Sequence, residues 1–236
     1  MLVGPAGTGK THAAQQVAEA LEIPFEFTGA IDSKYALSGF IDAQGRIVST
    51  AFRRAFEGGG VFLFDEIDAS LPGAVLAFNA ALAGDYCDFP DGKIRRHENF
   101  RAIAAANTYG QGASRTYVGR YQQDAAALDR YAMLDWPIDE SLESALIGQP
   151  RPENAPEPIE LNPVLSESEC AKLAAKWLVT VRNFRAKVER AGLRHIVSPR
   201  ATVMGVRLIA AGWQWNDCKE SVLYKGLDAD ARAKLI

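Results

Sequence analysis

Along the first part of the chain, short uninterrupted apolar runs alternate with longer segments whose apolar residues recur every three or four positions. The first pattern is typical of buried strands, and the second of helices that cover one face of a sheet. The runs predict strands at residues 25–28, 61–64, 100–106 and 131–138. The segments between them predict helices at residues 10–21, 49–57, 71–83 and 122–128. This alternation indicates an α/β fold in which helices cover a parallel sheet.

The pattern changes at residues 148–163, which contain five prolines and few apolar residues. Such a composition predicts an extended linker or a long surface loop. Beyond it, the apolar positions of residues 170–191 form one face of a long amphipathic helix. A Ser-Pro pair at 198–199 is typical of the cap and first position of a further helix. We therefore expect an α/β core at residues 1–148, a linker at 149–163 and a small helical domain at 164–236.

Composition excludes several classes of protein. The chain has 26 Lys and Arg against 29 Asp and Glu, a net charge of −3, which lacks the basic excess typical of nucleic-acid binding. Its 48% of hydrophobic residues excludes general disorder. No apolar run approaches the roughly 20 residues of a membrane span, and the first residues do not form a secretory signal. The three cysteines lie far apart and are expected as reduced thiols. We expect a cytoplasmic protein without a membrane partner.

The strongest motif is GPAGTGKT at residues 4–11, which follows an apolar pair and precedes a helix-compatible run. Glycines let backbone amides curl around a polyphosphate, and the helix N-terminus adds partial positive charge. Lys10 is expected to reach the β- and γ-phosphates, and the hydroxyl of Thr11 to ligate Mg²⁺. A glycine-rich turn without a ligand is the alternative. The predicted phosphate-binding residues are Gly4, Pro5, Ala6, Gly7, Thr8, Gly9, Lys10 and Thr11.

Two acids follow the apolar run 61–64. Four apolar residues predict a buried strand, and open α/β sheets bind ligands at the carboxyl ends of their strands. Asp65 suits a magnesium ligand, either direct or through water, and Glu66 suits polarisation of an attacking water. The alternative is a pair of acids that caps the next helix.

These two motifs resemble those of the AAA+ ATPases, with GPAGTGKT as Walker A and VFLFDEID as Walker B. The string FRAIAAANTYGQGASRTYVGRYQQDAAALDRY is similar to the MoxR-like, dynein-related branch, and most of all to the ATPase subunit of cobaltochelatase. The resemblance covers residues 2–138 well and the helical remainder more loosely. It implies a three-layer P-loop fold with a helical lid, and hydrolysis of ATP with Mg²⁺ in a homo-oligomeric ring, a hexamer. It also implies a protein client, with a von Willebrand A-type domain as one expectation.

The resemblance assigns three further residues. Asn107 corresponds to sensor 1, which orients the attacking water, although asparagine is also common in turns after strands. Arg130 corresponds to the arginine finger, which reaches the γ-phosphate of a neighbouring subunit. Arg115 and Arg120 in the preceding loop are alternative fingers, and a surface ion pair is the plainer interpretation of Arg130. Arg200 corresponds to sensor 2, in the first turn of a lid helix.

Two short segments lie where this branch carries insertions, at residues 35–45 and 85–98. The second contains Asp91-Gly92 between candidate strands and predicts a hairpin with a turn at that pair. In a ring, both segments could face the pore and contact a client. The basic residues of the second hairpin, which a solvated strand face also explains, are Lys93, Arg95 and Arg96.

Other functions stay open at this point. Hairpin-bearing branches include DNA motors, which the acidic composition disfavours. A non-hydrolysing scaffold subunit is disfavoured by the presence of Glu66 and Asn107. Because the first strand begins at Met1, we expect either a shortened N-terminus or adenine recognition from elsewhere in the chain.

Overall fold

The computed structural model describes residues 1–148 and 166–235. They form two compact units, the first made of Met1–Pro5 and Gly9–Trp136 and the second of Ala6–Thr8 and Pro137–Ile236. The linker expected at residues 149–163 lies outside the described residues. Within the described ranges, no helix combines the length and the apolar character needed to cross a membrane.

The first unit contains nine strands and five helices within the described residues. The strands are β1 Leu2–Val3, β2 Phe25–Thr28, β3 Phe40–Ile41, β4 Ile47–Val48, β5 Gly60–Phe64, β6 Tyr86–Phe89, β7 Gly92–Arg95, β8 Phe100–Ala106 and β9 Leu134–Asp135. The helices are α1 Lys10–Ala20, α2 Lys34–Ser38, α3 Ala51–Gly58, α4 Pro72–Ala83 and α5 Ala125–Leu128, with a 3₁₀ turn at Ile67–Ala69. The first three predicted strands are confirmed as β2, β5 and β8.

Five strands form one sheet in the order β2-β5-β8-β1-β9, and every pairing in it is parallel. The second strand in this order, β5, is buried along its whole length. Because side chains alternate along a strand, Phe64 packs with Phe52 of α3 and Phe78 of α4, whereas Leu63 packs with Ala14 of α1. Helices therefore cover both faces of the sheet, which confirms the predicted three-layer α/β fold.

Two elements are shorter than the sequence predicts. β9 covers two of the residues expected as strand at 131–138, because Tyr131 instead packs against the core and donates its hydroxyl to α4. α5 begins three residues later than the helix predicted at 122–128. The amide of Gln123 donates to the carbonyl of Gly110 at 2.8 Å, which draws it into the preceding loop. In both places a tertiary contact replaces the local pattern.

The regular elements of the second unit, within its described residues, are all helices. Its elements are α6 Glu140–Ala145, α7 Glu167–Arg190, α8 Pro199–Ala210, α9 Trp215–Cys218, a π-helical turn at Lys219–Leu223 and α10 Ala229–Ala233. The long helix predicted at residues 170–191 appears as α7, and the Ser-Pro start appears as α8. Residues 137–148 belong to the second unit, in which Glu143 and Ile147 pack with α7 and α8.

A buried carboxylate joins three helices of the second unit. The side chain of Glu143 on α6 is fully buried. Its oxygens accept hydrogen bonds from Arg185 on α7 at 2.6 Å and from Thr202 on α8 at 2.6 Å, and Arg182 adds a longer one at 3.4 Å. Burial raises the pKa of Glu143, but the bonds from Arg185, Thr202 and Arg182 outweigh it and hold that pKa below its ordinary value.

This network predicts how the stability of the second unit depends on pH. A lowered folded-state pKa stabilises the fold above the pKa of the unfolded chain, and the contribution is lost as the pH falls through the folded-state pKa. Glu143→Gln should lower the free energy of unfolding by about 3 kcal/mol at neutral pH, since it leaves two arginines without their buried partner. The loss should shrink in acid, which urea titrations of both proteins from pH 7 downwards will measure.

Glu140 on the same helix is the matched control, because its exposed carboxylate also pairs with Arg182, at 3.6 Å. Glu140→Gln should change stability by less than about 1 kcal/mol. Equal losses of unfolding free energy in the two variants would show that burial of Glu143 does not strengthen its contribution to stability.

Candidate active site

Three adjacent strands bring the predicted motifs to one edge of the sheet. Strands β5, β8 and β1 are neighbours and run parallel, with Phe64 beside Ala104 and Val3 beside Ala106. Their carboxyl ends therefore meet at the same edge. The glycine-rich loop leaves β1 there, the acids Asp65 and Glu66 follow β5, and Asn107 follows β8.

The loop after β1 requires its glycines. Gly7 and Gly9 have φ values of +78° and +88°, in a backbone region that residues with a Cβ rarely adopt. A Cβ on Gly4 would lie 1.9 Å from the carbonyl oxygen of Trp136, so the chain passes too close for any other residue. The loop ends at Lys10, the first residue of α1, so its amides precede a helix N-terminus. The remaining predicted loop residues are Pro5, which is exposed, Ala6, which is half-buried, and Thr8, which is buried.

Lys10 lies within hydrogen-bond reach of both the loop and the neighbouring strand end. Its side chain is buried, and Nζ donates to the carbonyls of Gly4 at 2.7 Å and Pro5 at 2.9 Å. It also donates to Oδ1 of Asn107 at 3.1 Å. The predicted phosphate-binding cation and the predicted sensor 1 amide are therefore in direct contact.

Thr11 and Asp65 form the second contact across this edge. Oγ1 of Thr11 donates to Oδ2 of Asp65 at 2.6 Å, and Oδ1 of Asp65 accepts the amide of Glu66 at 2.9 Å. Hydroxyl and carboxylate oxygens are the donors that Mg²⁺ prefers. The residues present thus fit the magnesium ion that the sequence predicts.

Glu66 has an unusual backbone conformation. Its φ and ψ of +53° and +38° lie in the left-handed region, which costs a non-glycine residue free energy of order 1 kcal/mol or more. Its side chain is half-exposed, and the nearest cation is Arg120, whose Nη2 lies 3.6 Å from Oε1. A carboxylate held at the surface of the site is placed to meet a water molecule.

Asp68, which the sequence analysis missed, lies beneath these residues. It is fully buried, and Oδ2 accepts the amides of Asn107 and Thr108 at 3.2 and 2.9 Å and the hydroxyl of Thr108 at 2.8 Å. The guanidinium of Arg120 pairs with the same oxygen at 3.1 Å. The signal in the sequence was a third acid shortly after the Asp65-Glu66 pair.

The other predicted arginines come from other segments of the chain, and within the second unit the Cγ of Arg200 would lie 3.3 Å from a Cβ built on Gly7 of the glycine-rich loop. Arg130 follows α5, is exposed, and donates from Nη1 to the carbonyl of Ala126. Arg115 is exposed in the loop after β8. Arg200 is the second residue of α8 in the second unit, and it is exposed.

Both predicted insertions are hairpins, formed by β3 with β4 and by β6 with β7. In the second, Phe89 pairs with Gly92, so the turn is Pro90-Asp91 and the predicted turn at Asp91-Gly92 is wrong by one residue. The guanidinium of Arg53 on α3 forms a bidentate pair with the Asp91 carboxylate, with Nη2 at 2.9 Å from Oδ2. This pair fixes the turn against α3.

Comparison with known proteins agrees with the geometry. Residues 1–124 match the model of the ATPase family associated with various cellular activities (AAA). The chain belongs to this AAA family. No protein of curated function matches the AAA chain in sequence.

Among solved structures, the AAA chain is similar to NtrX from Brucella abortus, with a TM-score of 0.50 and 15% identity over 97% of this chain and 46% of NtrX. NtrX in complex with ATP gives a TM-score of 0.46 and 17% identity, over 98% and 48% of the two chains. A candidate ATPase from Cytophaga hutchinsonii gives 0.47 and 18%, over 100% and 80%. The AAA chain spans about half the length of NtrX, and the first similarity concerns the fold alone.

Proposed function

We propose that this AAA protein binds ATP together with Mg²⁺ at the shared edge of β1, β5 and β8 and hydrolyses it to ADP and phosphate. The observation that carries the proposal is the convergence of Lys10 with Asn107 and of Thr11 with Asp65, all within hydrogen-bond distance. Residues far apart in the sequence meet there in the arrangement that nucleotide chemistry needs.

Different groups of the chain bind different parts of the triphosphate and its metal ion. The loop amides and Lys10 hold the β- and γ-phosphates, and Nζ exchanges its contacts with the carbonyls of Gly4 and Pro5 for phosphate oxygens. Thr11 and Asp65 hold the Mg²⁺ ion. When bound, this ion neutralises phosphate charge.

Hydrolysis itself requires a positioned water. The water oxygen attacks the γ-phosphorus, the bond to the oxygen that bridges the β- and γ-phosphates breaks, and Glu66 accepts the proton that the water loses. Asn107 orients the water with its neutral amide. The resemblance assigns Arg200 to sensor 2. A bound anion would offset the unfavourable position of this cation near the N-terminus of α8.

Glu66→Gln tests the catalytic part of the proposal. The amide keeps the size of the side chain but cannot accept the proton, so turnover should fall by about 100-fold or more while ATP stays bound. Phosphate release and ATP titration calorimetry on the same preparation measure the two quantities. Glu19→Gln, an exposed carboxylate on α1, is the control and should hydrolyse ATP at the wild-type rate. Wild-type turnover in Glu66→Gln would exclude Glu66 as the proton acceptor.

We further propose that the protein acts as a homo-oligomeric ring, a hexamer, with its nucleotide sites between neighbouring subunits. Arg130 is exposed and its described hydrogen bond is to the carbonyl of Ala126 in its own helix turn, so its charge is available to a neighbour. In a closed ring each subunit would supply Arg130 to the next subunit's γ-phosphate.

The client of such a ring would be a protein. The resemblance to the MoxR-like branch and to the cobaltochelatase ATPase subunit supports this, with a von Willebrand A-type domain as the expected partner module. The first hairpin presents exposed apolar residues that suit contact with a protein: Phe40, Ile41, Ile47 and Val48. Co-purification of the Glu66→Gln protein with the products of neighbouring genes, in ATP and in ADP, tests it. Retention in ATP alone supports remodelling, and equal retention in both contradicts it.

A further inference from the structure

Arg120 is a largely buried cation in a loop of mostly exposed and half-buried residues. Its side chain is only 12% exposed, whereas Arg115, five residues earlier, is exposed. A guanidinium withdrawn from water must be compensated by acidic partners. Arg120 has two of them, and both lie just after β5 in the same chain.

The first partner is Asp68. Nε of Arg120 lies 3.1 Å from Oδ2, the oxygen that also accepts the amides of Asn107 and Thr108. The carbonyl of Asp68 accepts the amide of Tyr121 at 2.9 Å. Asp68 thus holds both ends of the loop at residues 107–121 by hydrogen bonds, and it holds the Arg120 side chain by an ion pair.

The second partner is Glu66. Nη2 of Arg120 lies 3.6 Å from Oε1, a distance longer than a direct hydrogen bond, so the interaction is one of charge. The aromatic ring of Tyr117, with its centroid 5.6 Å from the guanidinium, adds a further contact to Arg120. The guanidinium is therefore held on one side and directed at Glu66 on the other.

We propose that Arg120 is a positioning residue that acts within its own subunit. It sets the position of the Glu66 carboxylate relative to Asn107, because Asp68 binds both the guanidinium and the Asn107 amide. This assignment rests on the proposed function, since it concerns the residue that accepts the proton. It also separates Arg120 from the arginine finger, for which the sequence had left it as an alternative.

Steady-state kinetics of Arg120→Ala give the first test. Misplacement of a catalytic group by about 1 Å can cost on the order of 100-fold, so kcat should fall 10- to 100-fold while KM for ATP changes by less than about twofold. Arg120→Lys should recover part of the loss, because an ammonium keeps the positive charge. The recovery should be incomplete, because an ammonium cannot bridge both acids. Arg54→Ala is the control. It removes another arginine–glutamate pair, that with Glu26, and should leave kcat unchanged.

Coupling to Glu66 separates positioning from a merely structural role. If Arg120 acts through Glu66, adding Arg120→Ala to Glu66→Gln should lower kcat by less than about twofold further. A full additional loss of 10- to 100-fold would overturn the proposal, and so would a rise in KM that accounts for the defect. Thermal melting of both variants verifies that the fold is retained.

Mixed subunits give an independent test. Arg120→Ala subunits mixed with Lys10→Ala subunits should be no more active than Arg120→Ala alone, because each carries a defect in its own site. Activity above that level would show that Arg120 acts on a neighbour and would overturn the proposal. Failure of the wild-type protein to hydrolyse ATP, by contrast, would overturn the proposed function itself.

Discussion

Lys10→Ala is expected to abolish nucleotide binding. Nζ of Lys10 donates to two loop carbonyls and to Asn107 Oδ1, at 2.7–3.1 Å, so its positive charge lies against the loop. Without it, the affinity for ATP should fall by about 100-fold or more, because charge-assisted contacts to the phosphates are the strongest that the site offers. Hydrolysis should fall to background. Titration calorimetry with ATP measures the affinity.

The control for this experiment is Lys172→Ala, an exposed lysine on α7. It removes the same charge from the chain and should bind ATP as the wild type does. Wild-type affinity in Lys10→Ala would contradict the assignment of residues 4–11 as the phosphate-binding loop. A circular dichroism spectrum equal to that of the wild type is required of both variants.

Arg130→Ala is expected to hydrolyse ATP about 1,000-fold more slowly while binding it almost normally. This loss corresponds to roughly 4 kcal/mol of transition-state stabilisation, the size found for arginines that reach a transferring phosphoryl group. If Arg130 acts on a neighbour, wild-type activity should also rise faster than linearly with protein concentration around the assembly threshold. Phosphate release over a dilution series measures both effects.

The decisive experiment mixes two inactive proteins. Arg130→Ala subunits keep Lys10, and Lys10→Ala subunits keep Arg130, so mixed neighbours should recover part of the activity. A mixture that stays inactive although both variants assemble would reject action on a neighbour, as would normal hydrolysis by Arg130→Ala. Arg115 would then be the next residue to test, because Arg120 is paired with acids of its own chain.

The sequence predicted the α/β core because its signals there are local. The apolar run at 61–64 is typical of a buried strand, and the glycine-rich loop is typical of the turn from a strand into a helix. The strand expected at 131–138 is shorter because Tyr131 finds a partner on α4, which no local pattern encodes. The hairpin turn is displaced by one residue because the pairing of Phe89 with Gly92 sets it.

Part of the candidate site was also predictable from the sequence. Lys10, Thr11, Asp65 and Asn107 sit at strand ends, and parallel strands bring those ends together. Asp68 was not assigned, and Arg120 was named only as an alternative arginine finger, because their pairing is a contact between residues 52 positions apart. An acid after a strand and an arginine in a loop are common in proteins, so the sequence alone does not indicate that these two interact. The structure shows that they form an ion pair that is largely withdrawn from water.

The bidentate pair between Arg53 and Asp91 has a mechanical consequence. The guanidinium of Arg53 also stacks on Phe89, so it clamps the tip of the second hairpin to α3. Along the same helix, Phe52 packs edge-on against Phe62 of β5, the strand that ends in the two acids. Close-packed interiors compress little. The tip of the hairpin, α3 and β5 are therefore joined by an ion pair and by close aromatic packing, so that the turn cannot move away from α3 without disturbing contacts that reach β5.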